Sequence, residues 1–138
     1  MSSAVIVTDA GFGVDDWTCG FRTIDTQPAN DCPQAVDLPS DTMPDDLPQA
    51  LNAPMIRIDF PSFADGRGFT LAKMLRRAGY TGRLRARGHV IADQYAMARR
   101  SGFDEVEISA DLAARQPQDQ WLARADWQAH DYQNRLRG

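Results

Sequence analysis

MIRIDFPSFADGRGFTLAKMLRRAGYTGRLRARGHVIADQYAMARRSGFDEVEIS, residues 55–109, carries most of the local signals from which an architecture can be built. It contains one ending twice: Arg76-Arg77-Ala78-Gly79-Tyr80 and Arg99-Arg100-Ser101-Gly102-Phe103, 23 residues apart. Arginines in a last helical turn face the negative end of the helix dipole. A glycine in the left-handed conformation then ends the helix, and an apolar side chain folds back onto the last turn. Two consecutive helices therefore stop in the same way. Around them lie three runs of alternating character: Ile56, Ile58 and Phe60 in the first, RLRAR at 83–87, and DEVEIS at 104–109. The order is β-α-β-α-β with short connections, which predicts parallel strands and right-handed crossovers.

Parallel strands covered on both faces are normally continuous apolar runs. These three instead place Arg57 and Asp59, then Arg83, Arg85 and Arg87, then Glu105 and Glu107 on their second face. The pattern predicts helices mainly on one face and a cross-strand ion-pair ladder on the other. That other face is read as solvated, partly lidded by a proline-rich arm, or lining a cavity. Thr70 is read as the cap of the first helix, whose apolar stripe is Leu71, Met74, Leu75 and Ala78. The second helix is read from His89 to Ser101.

Working outward, Ala4–Thr8 reads as a strand, Asp9–Gly13 as a turn and Trp17–Ile24 as a second short strand. Thr26–Pro54 holds six of the eight prolines, which disfavour long helices and central strands. This stretch reads as an irregular acidic arm with one short helix at Asp45–Leu51. Downstream, Ser109 caps a short helix through Ala114, and Pro117 opens a last helix with Leu122, Ala125, Ala129, Tyr132 and Leu136 on its stripe. In that helix Trp121 packs inward and Trp127 faces elsewhere, as a candidate anchor for a partner. The expected fold class is α/β: a three-stranded parallel β-α-β-α-β core with helices mainly on one face, N-terminal short strands, a proline-rich arm and a C-terminal helix. The expected organisation is one domain over 1–138: short strands at 1–25, the arm at 26–54, the core at 55–109 and a helical segment at 110–138.

Composition narrows the function classes. The 138 residues are 43% apolar and 25% charged, ordinary for a soluble globular chain. No apolar run approaches the roughly 20 residues that span a bilayer. Ala4–Val7 is too short for a signal-peptide core, so the expected location is cytoplasmic. Cys19 and Cys32 form no CxxC and read as free thiols. Two histidines and two separated cysteines make no metal site. Residues 1–59 hold ten Asp and two arginines, whereas residues 60–138 hold nine acids and thirteen bases. Most of those bases read as ordinary surface charge. Arg83, Arg85 and Arg87 lack interleaved aromatics and stand beside glutamates, which argues against nucleic acid.

The best site candidate is the loop Ala64-Asp65-Gly66-Arg67-Gly68-Phe69-Thr70, between a strand and a helix. Free backbone N–H groups there favour anions. Glycines let a ligand approach, and Arg67 can grip an oxyanion with both arms of its fork. The anion-binding set is therefore Asp65, Gly66, Arg67 and Gly68, joined by Arg87 and His89 at the end of the second strand. The rival reading is a turn in which Asp65 caps the loop and Arg67 pairs with a carboxylate. His130 reads as surface. No catalytic residue can be named: no nucleophile elbow, triad spacing or cofactor motif is present, so no cofactor is expected.

The run from Phe60 to Ile108 resembles a family of short proteobacterial proteins of unknown function whose genes lie beside sulfite reductase. The resemblance rests on Phe60-Pro61, Phe63, Asp65 to Gly68, Leu84-Arg85-Ala86, Gly88, Asp93-Gln94 and Gly102-Phe103, with Tyr132-Gln133 similar to a C-terminal Tyr-Gln of the family. Ser101 and His89 depart from the Cys and Asp often found there. Members are sometimes labelled probable oxidoreductases. The resemblance implies an accessory protein of assimilatory sulfite reduction. Such a protein would bind sulfite reductase or another enzyme of sulfate assimilation, together with a small oxyanion, and would not be an enzyme in isolation. A homo-oligomer and no membrane partner fit the same reading. The alternative is a small enzyme acting on a sulfur oxyanion or a phosphorylated ligand, with Arg67 and Arg87 as clamps and His89 or Asp65 carrying the proton.

Overall fold

A computed structural model describes residues 4–24 and 33–125. The chain is mixed α/β, with a seven-stranded, mostly parallel sheet and helices. The strands are β1 (Val5–Thr8), β2 (Gly11–Gly13), β3 (Phe21–Thr23), β4 (Ala35–Leu38), β5 (Met55–Phe60), β6 (Arg83–Gly88) and β7 (Glu105–Ile108). They lie in the order β2-β1-β7-β6-β5-β4-β3. Strands β3 to β7 pair in parallel, whereas β1 runs antiparallel to both β2 and β7. The helices are α1 (Arg67–Arg77), α2 (Tyr95–Ser101), α3 (Ala110–Arg115) and α4 (Gln118–Leu122). Two 3₁₀ turns occupy Pro44–Ala50 and Ala92–Gln94.

Several boundaries differ from the sequence reading, each for a physical reason. The arm read as irregular supplies β4, an interior strand of the sheet. Pro33 and Pro39 flank it rather than interrupt it, so its ladder donors survive. Gly11–Gly13, read as a turn, pairs with β1 as an edge strand. Helix α1 starts at Arg67 rather than being capped by Thr70, because Gly68 fits against the Phe60 ring; a Cβ there would lie 2.5 Å from it. The second helix starts later than His89, since Ile91 is still extended. Ser109 does cap α3: its Oγ accepts from Leu112 N at 3.1 Å. Trp127, His130, Tyr132 and most of the last helix's stripe lie outside the described residues.

Residues that share one face of the sheet through register, Val36, Ile56 and Leu84, then Leu38, Ile58, Ala86 and Val106, form the core with Leu71, Ala72, Leu75, Tyr95 and Ala98 of the helices. The doubled ending works as its spelling predicts. Tyr80 N donates to Leu75 O and Phe103 N to Ala98 O, both at 3.0 Å, while Gly79 N and Gly102 N donate to Arg76 O and Arg99 O. These are the paired bonds of a Schellman stop. The first arginine of each pair then folds back on its own aromatic residue. Arg76 Nη1 donates to Tyr80 O at 2.9 Å and Arg99 Nη1 to Phe103 O at 2.6 Å. Gly79 and Gly102 have φ of +100° and +115°. Gly79→Ala should cost about 1 kcal/mol of unfolding free energy from backbone strain alone. Gly102→Ala should cost more, because its Cβ would also lie 2.6 Å from Arg76 Cγ. Urea melts that rank the two in the opposite order would refute this account.

The second face of the sheet is charged and covered. Asp37, Arg57, Arg85 and Glu105 fall in one row across four strands, and Asp59, Arg87 and Glu107 in the next. Arg57 grips Asp37 at 2.6 and 2.8 Å and reaches Glu107 at 3.1 Å. Arg85, fully buried, bonds Glu105, Glu107 (2.8 Å) and Asp15 (3.1 Å). Arg83 bonds Glu105 at 2.9 Å and Asp16 at 2.6 Å. The cover is the segment between β2 and β3, which brings Asp15 and Asp16 over the ladder, and Phe21 at the start of β3, whose ring stacks on Arg57 at 3.5 Å. Burial alone would lower the Arg85 guanidinium; the carboxylates of Asp15, Glu105 and Glu107 outweigh it and hold it above its ordinary value. Cys19 in this segment is disulfide-bonded, not the free thiol expected from its spacing.

Asp15 and Asp16 impose a pH dependence. Partial burial would raise Asp15, but its bond to Arg85 wins and holds it below 3.8; the bond to Arg83 does the same for Asp16. A carboxyl depressed in the folded state contributes stability that is complete above its unfolded value and lost as pH falls through the folded one. Melting temperature should therefore decline as pH drops below about 4. Asp15→Asn combined with Asp16→Asn should flatten that decline. An unchanged slope would place the acid sensitivity elsewhere.

Candidate functional site

The sequence-predicted site residues fall into two separate places. Asp65, Gly66, Arg67 and Gly68 form the entry to α1. Arg67 Nε and Nη2 donate to the Asp65 carboxylate at 3.0 and 2.8 Å, and Arg67 N donates to it at 3.1 Å. Arg67 Nη2 also donates to Ser40 Oγ at 3.0 Å. The Arg67 guanidinium beside Asp65 holds its carboxyl well below the usual range. The Nε and Nη2 side of the guanidinium is thus engaged by Asp65 and Ser40, the geometry of the rival turn reading. Arg67 borders a cleft of about 450 Å³ with Ser40, Met43, Thr70, Leu71 and Met74. Neither Arg87 nor His89 lines it.

Arg87 and His89 line a different cleft of about 440 Å³, with Asp59, Pro61, Gly88, Glu107 and Ser109. It opens at the carboxyl ends of β5, β6 and β7, where open α/β sheets bind ligands. Gly88 shapes it. Its φ is +113°, and a Cβ there would lie 2.7 Å from Phe60 O. The turn at Gly88 sends the chain back over β5, so that His89 N donates to Phe60 O at 2.9 Å. The His89 ring follows: Nδ1 lies 3.2 Å from the same oxygen, and the ring meets Phe63 edge-on at 5.1 Å. A carbonyl only accepts, so this contact is a hydrogen bond when Nδ1 carries the proton. In the neutral ring that leaves a lone pair on Nε2.

Arg87 stands apart from its neighbours in the ladder. Arg57, Arg83 and Arg85 are each hydrogen-bonded to carboxylates. Arg87 meets Glu107 and Asp59 only at 3.4 and 3.8 Å, and its side chain is 51% exposed. Those separations are long for a charge-assisted hydrogen bond, so its donors remain available. Glu107, in contrast, is already held by Arg85 and Arg57. Ser109 completes the wall. Its Oγ accepts from Leu112 N, which leaves the hydroxyl proton to donate.

Sequence reasoning named Arg87 and His89 but not Asp59, Ser109 or the neighbouring Arg115. Ser109 was legible only as a helix cap. Its place beside His89 follows from the pairing of β6 with β7. Ser101, the position where the resembling proteins often carry Cys, is 2% exposed in the last turn of α2 with its Oγ unpaired, away from either cleft. Among the described residues no group of three or more His, Cys, Asp or Glu could hold a metal ion, and no helix is long and apolar enough to cross a membrane.

No curated protein and no solved structure matches the chain. Residues 35–138 match the model of a family described as bacterial protein of unknown function (DUF934).

Proposed function

The chain belongs to this bacterial family of unknown function, and we propose that it binds a small oxyanion in the cleft at Arg87 and His89, as an accessory protein of assimilatory sulfite reduction. The observation that carries the binding reading is the uncommitted guanidinium of Arg87 beside the Ser109 hydroxyl, in a ladder whose other arginines are all bonded. The sulfur assignment, and with it sulfite reductase as the partner, rests on the likeness of the Phe60–Ile108 motifs alone. Arg67, expected as the clamp, has its Nε and Nη2 bonded to Asp65 and Ser40, which favours a loop-ordering role.

Melting with sulfite, sulfate and phosphate at matched ionic strength tests this. A ligand at 100 times its dissociation constant adds about 2.7 kcal/mol to the native state. Wild type should shift with sulfite, Arg87→Ala should not, and Arg67→Ala should shift as wild type does from a lower starting midpoint. No anion-specific shift in wild type, or an equal one in Arg87→Ala, would remove the reading.

A second reading is favoured by the His89 lone pair: a small enzyme in which Nε2 takes or gives a proton on the bound oxyanion. Turnover by purified protein alone would favour it. Turnover only when sulfite reductase is added would favour the accessory role.

A further inference from the structure

The cleft at Arg87 is not alone. A second, narrower cleft of about 170 Å³ shares Gly88, His89 and Ser109 with it and continues to Phe63, Leu112 and Arg115. Gly88, His89 and Ser109 are therefore common to the walls of two adjoining spaces. Each space has one arginine in its lining, Arg87 in the first and Arg115 in the second. Arg87 is uncommitted, as described above. Arg115, exposed at the end of α3, makes no side-chain hydrogen bond or ion pair among the described residues. Nine of the other arginines of the described chain have assigned partners: Arg57, Arg67, Arg76, Arg83, Arg85, Arg99 and Arg124 in bonds or ion pairs, and Arg22 and Arg100 in further contacts. Arg87, with only long ion pairs, and Arg115, with none, thus share a wall of one histidine and one hydroxyl, whereas among the other described arginines only Arg77 has no partner.

We infer that the paired cleft takes a ligand with two oxyanion groups joined by a short bridge, one group on Arg87 and the other on Arg115, with the bridge crossing His89 and Ser109. This rests on the oxyanion reading of Arg87 and extends it to the ligand class. A single small oxyanion fills only one space and leaves the second arginine without a counter-charge. A bridged pair supplies two charge-assisted contacts from one molecule. The Ser109 hydroxyl, a donor, and His89, able to donate or accept at Nε2, suit the oxygen atoms of the bridge.

The test uses inorganic phosphate and pyrophosphate as probes, by calorimetric titration of the full chain at matched ionic strength. Pyrophosphate should bind roughly tenfold more tightly than phosphate, the return of one additional charge-assisted bond. Arg115→Ala should abolish that preference while leaving phosphate affinity as in wild type. Arg87→Ala should abolish binding of both. Arg77→Ala, which removes the same charge from α1, should change neither, so that a general charge effect is separated from a local one. Phosphate binding that needs Arg87 but shows no preference for pyrophosphate overturns the two-anion inference and leaves the oxyanion reading standing. A preference that survives Arg115→Ala overturns it equally. Failure of both anions to bind overturns both readings.

Discussion

Arg85→Ala should destabilise the protein by about 3–5 kcal/mol, a large part of the 5–15 kcal/mol that usually holds a domain together. The loss is not that of one surface ion pair. Arg85 is fully buried between Glu105 and Glu107, with Asp15 above. Removing it leaves Glu105 hydrogen-bonded to Arg83 alone and Glu107 to Arg57 alone, both nearly buried, and breaking a buried charge network by deleting one partner costs more than the pair ever contributed. Arg83 cannot replace it, since its own fork is divided between Glu105 and Asp16. Adding Glu105→Gln should recover part of the loss, because Arg83 retains Asp16 at 2.6 Å and one stranded charge is gone. Urea denaturation of the two single variants and the double variant gives the coupling directly. A single-variant loss under about 1 kcal/mol would mean the ladder is as solvated as an ordinary surface pair.

The second large effect is expected at Trp121. Its side chain is 1% exposed on α4, its ring meets Tyr95 edge-on at 6.0 Å, and its Nε1 donates to Gln116 O at 2.8 Å. Trp121→Ala opens a cavity beneath α4 and strands the Gln116 carbonyl, for about 3–5 kcal/mol. The damage should spread to the sheet edge. Gln118 Oε1 on the same helix accepts from Phe12 N at 2.7 Å, across to β2. Hydrogen exchange at Phe12 should accelerate in Trp121→Ala more than in Trp121→Phe. Equal exchange in both would show that α4 and β2 are held together by other contacts.

What could be read beforehand follows from how local each cause is. The strands at 55–60, 83–88 and 105–108 were legible because alternation is a property of neighbouring residues, and the two helix stops because glycine, arginine and aromatic lie within five positions. Strand β4 was hidden because four residues between prolines carry no periodicity of their own; its pairing with β5 is what makes it a strand. The start of α1 was misplaced for the opposite reason. Gly66 and Gly68 look like loop, yet Gly68 is helical because Phe60, eight residues earlier, leaves no room for a side chain. In the site, Arg87 and His89 could be named from their place at a strand end. The turn formed by Asp65 and Arg67 was visible as an alternative, since those residues are two apart. Asp15 above Arg85 was not, because 70 positions separate them. The cover over the charged face could be posed as a question from the sequence but answered only from the fold.

Strand β1 pairs with β7 through Val5 and Ile108, so the first strand among the described residues waits for the last. During synthesis the β1–β2 hairpin emerges with the remaining strands of its sheet still unmade, and an isolated two-stranded hairpin is marginal in water. The parallel strands in the middle can begin to associate as each crossover helix appears, but the antiparallel edge joins only when residue 108 has left the ribosome. Until then the apolar side of β1 and the edge by which it will pair with β7 wait without that strand. That interval, set by topology rather than by any single contact, is when this protein is most open to pairing with the wrong strand.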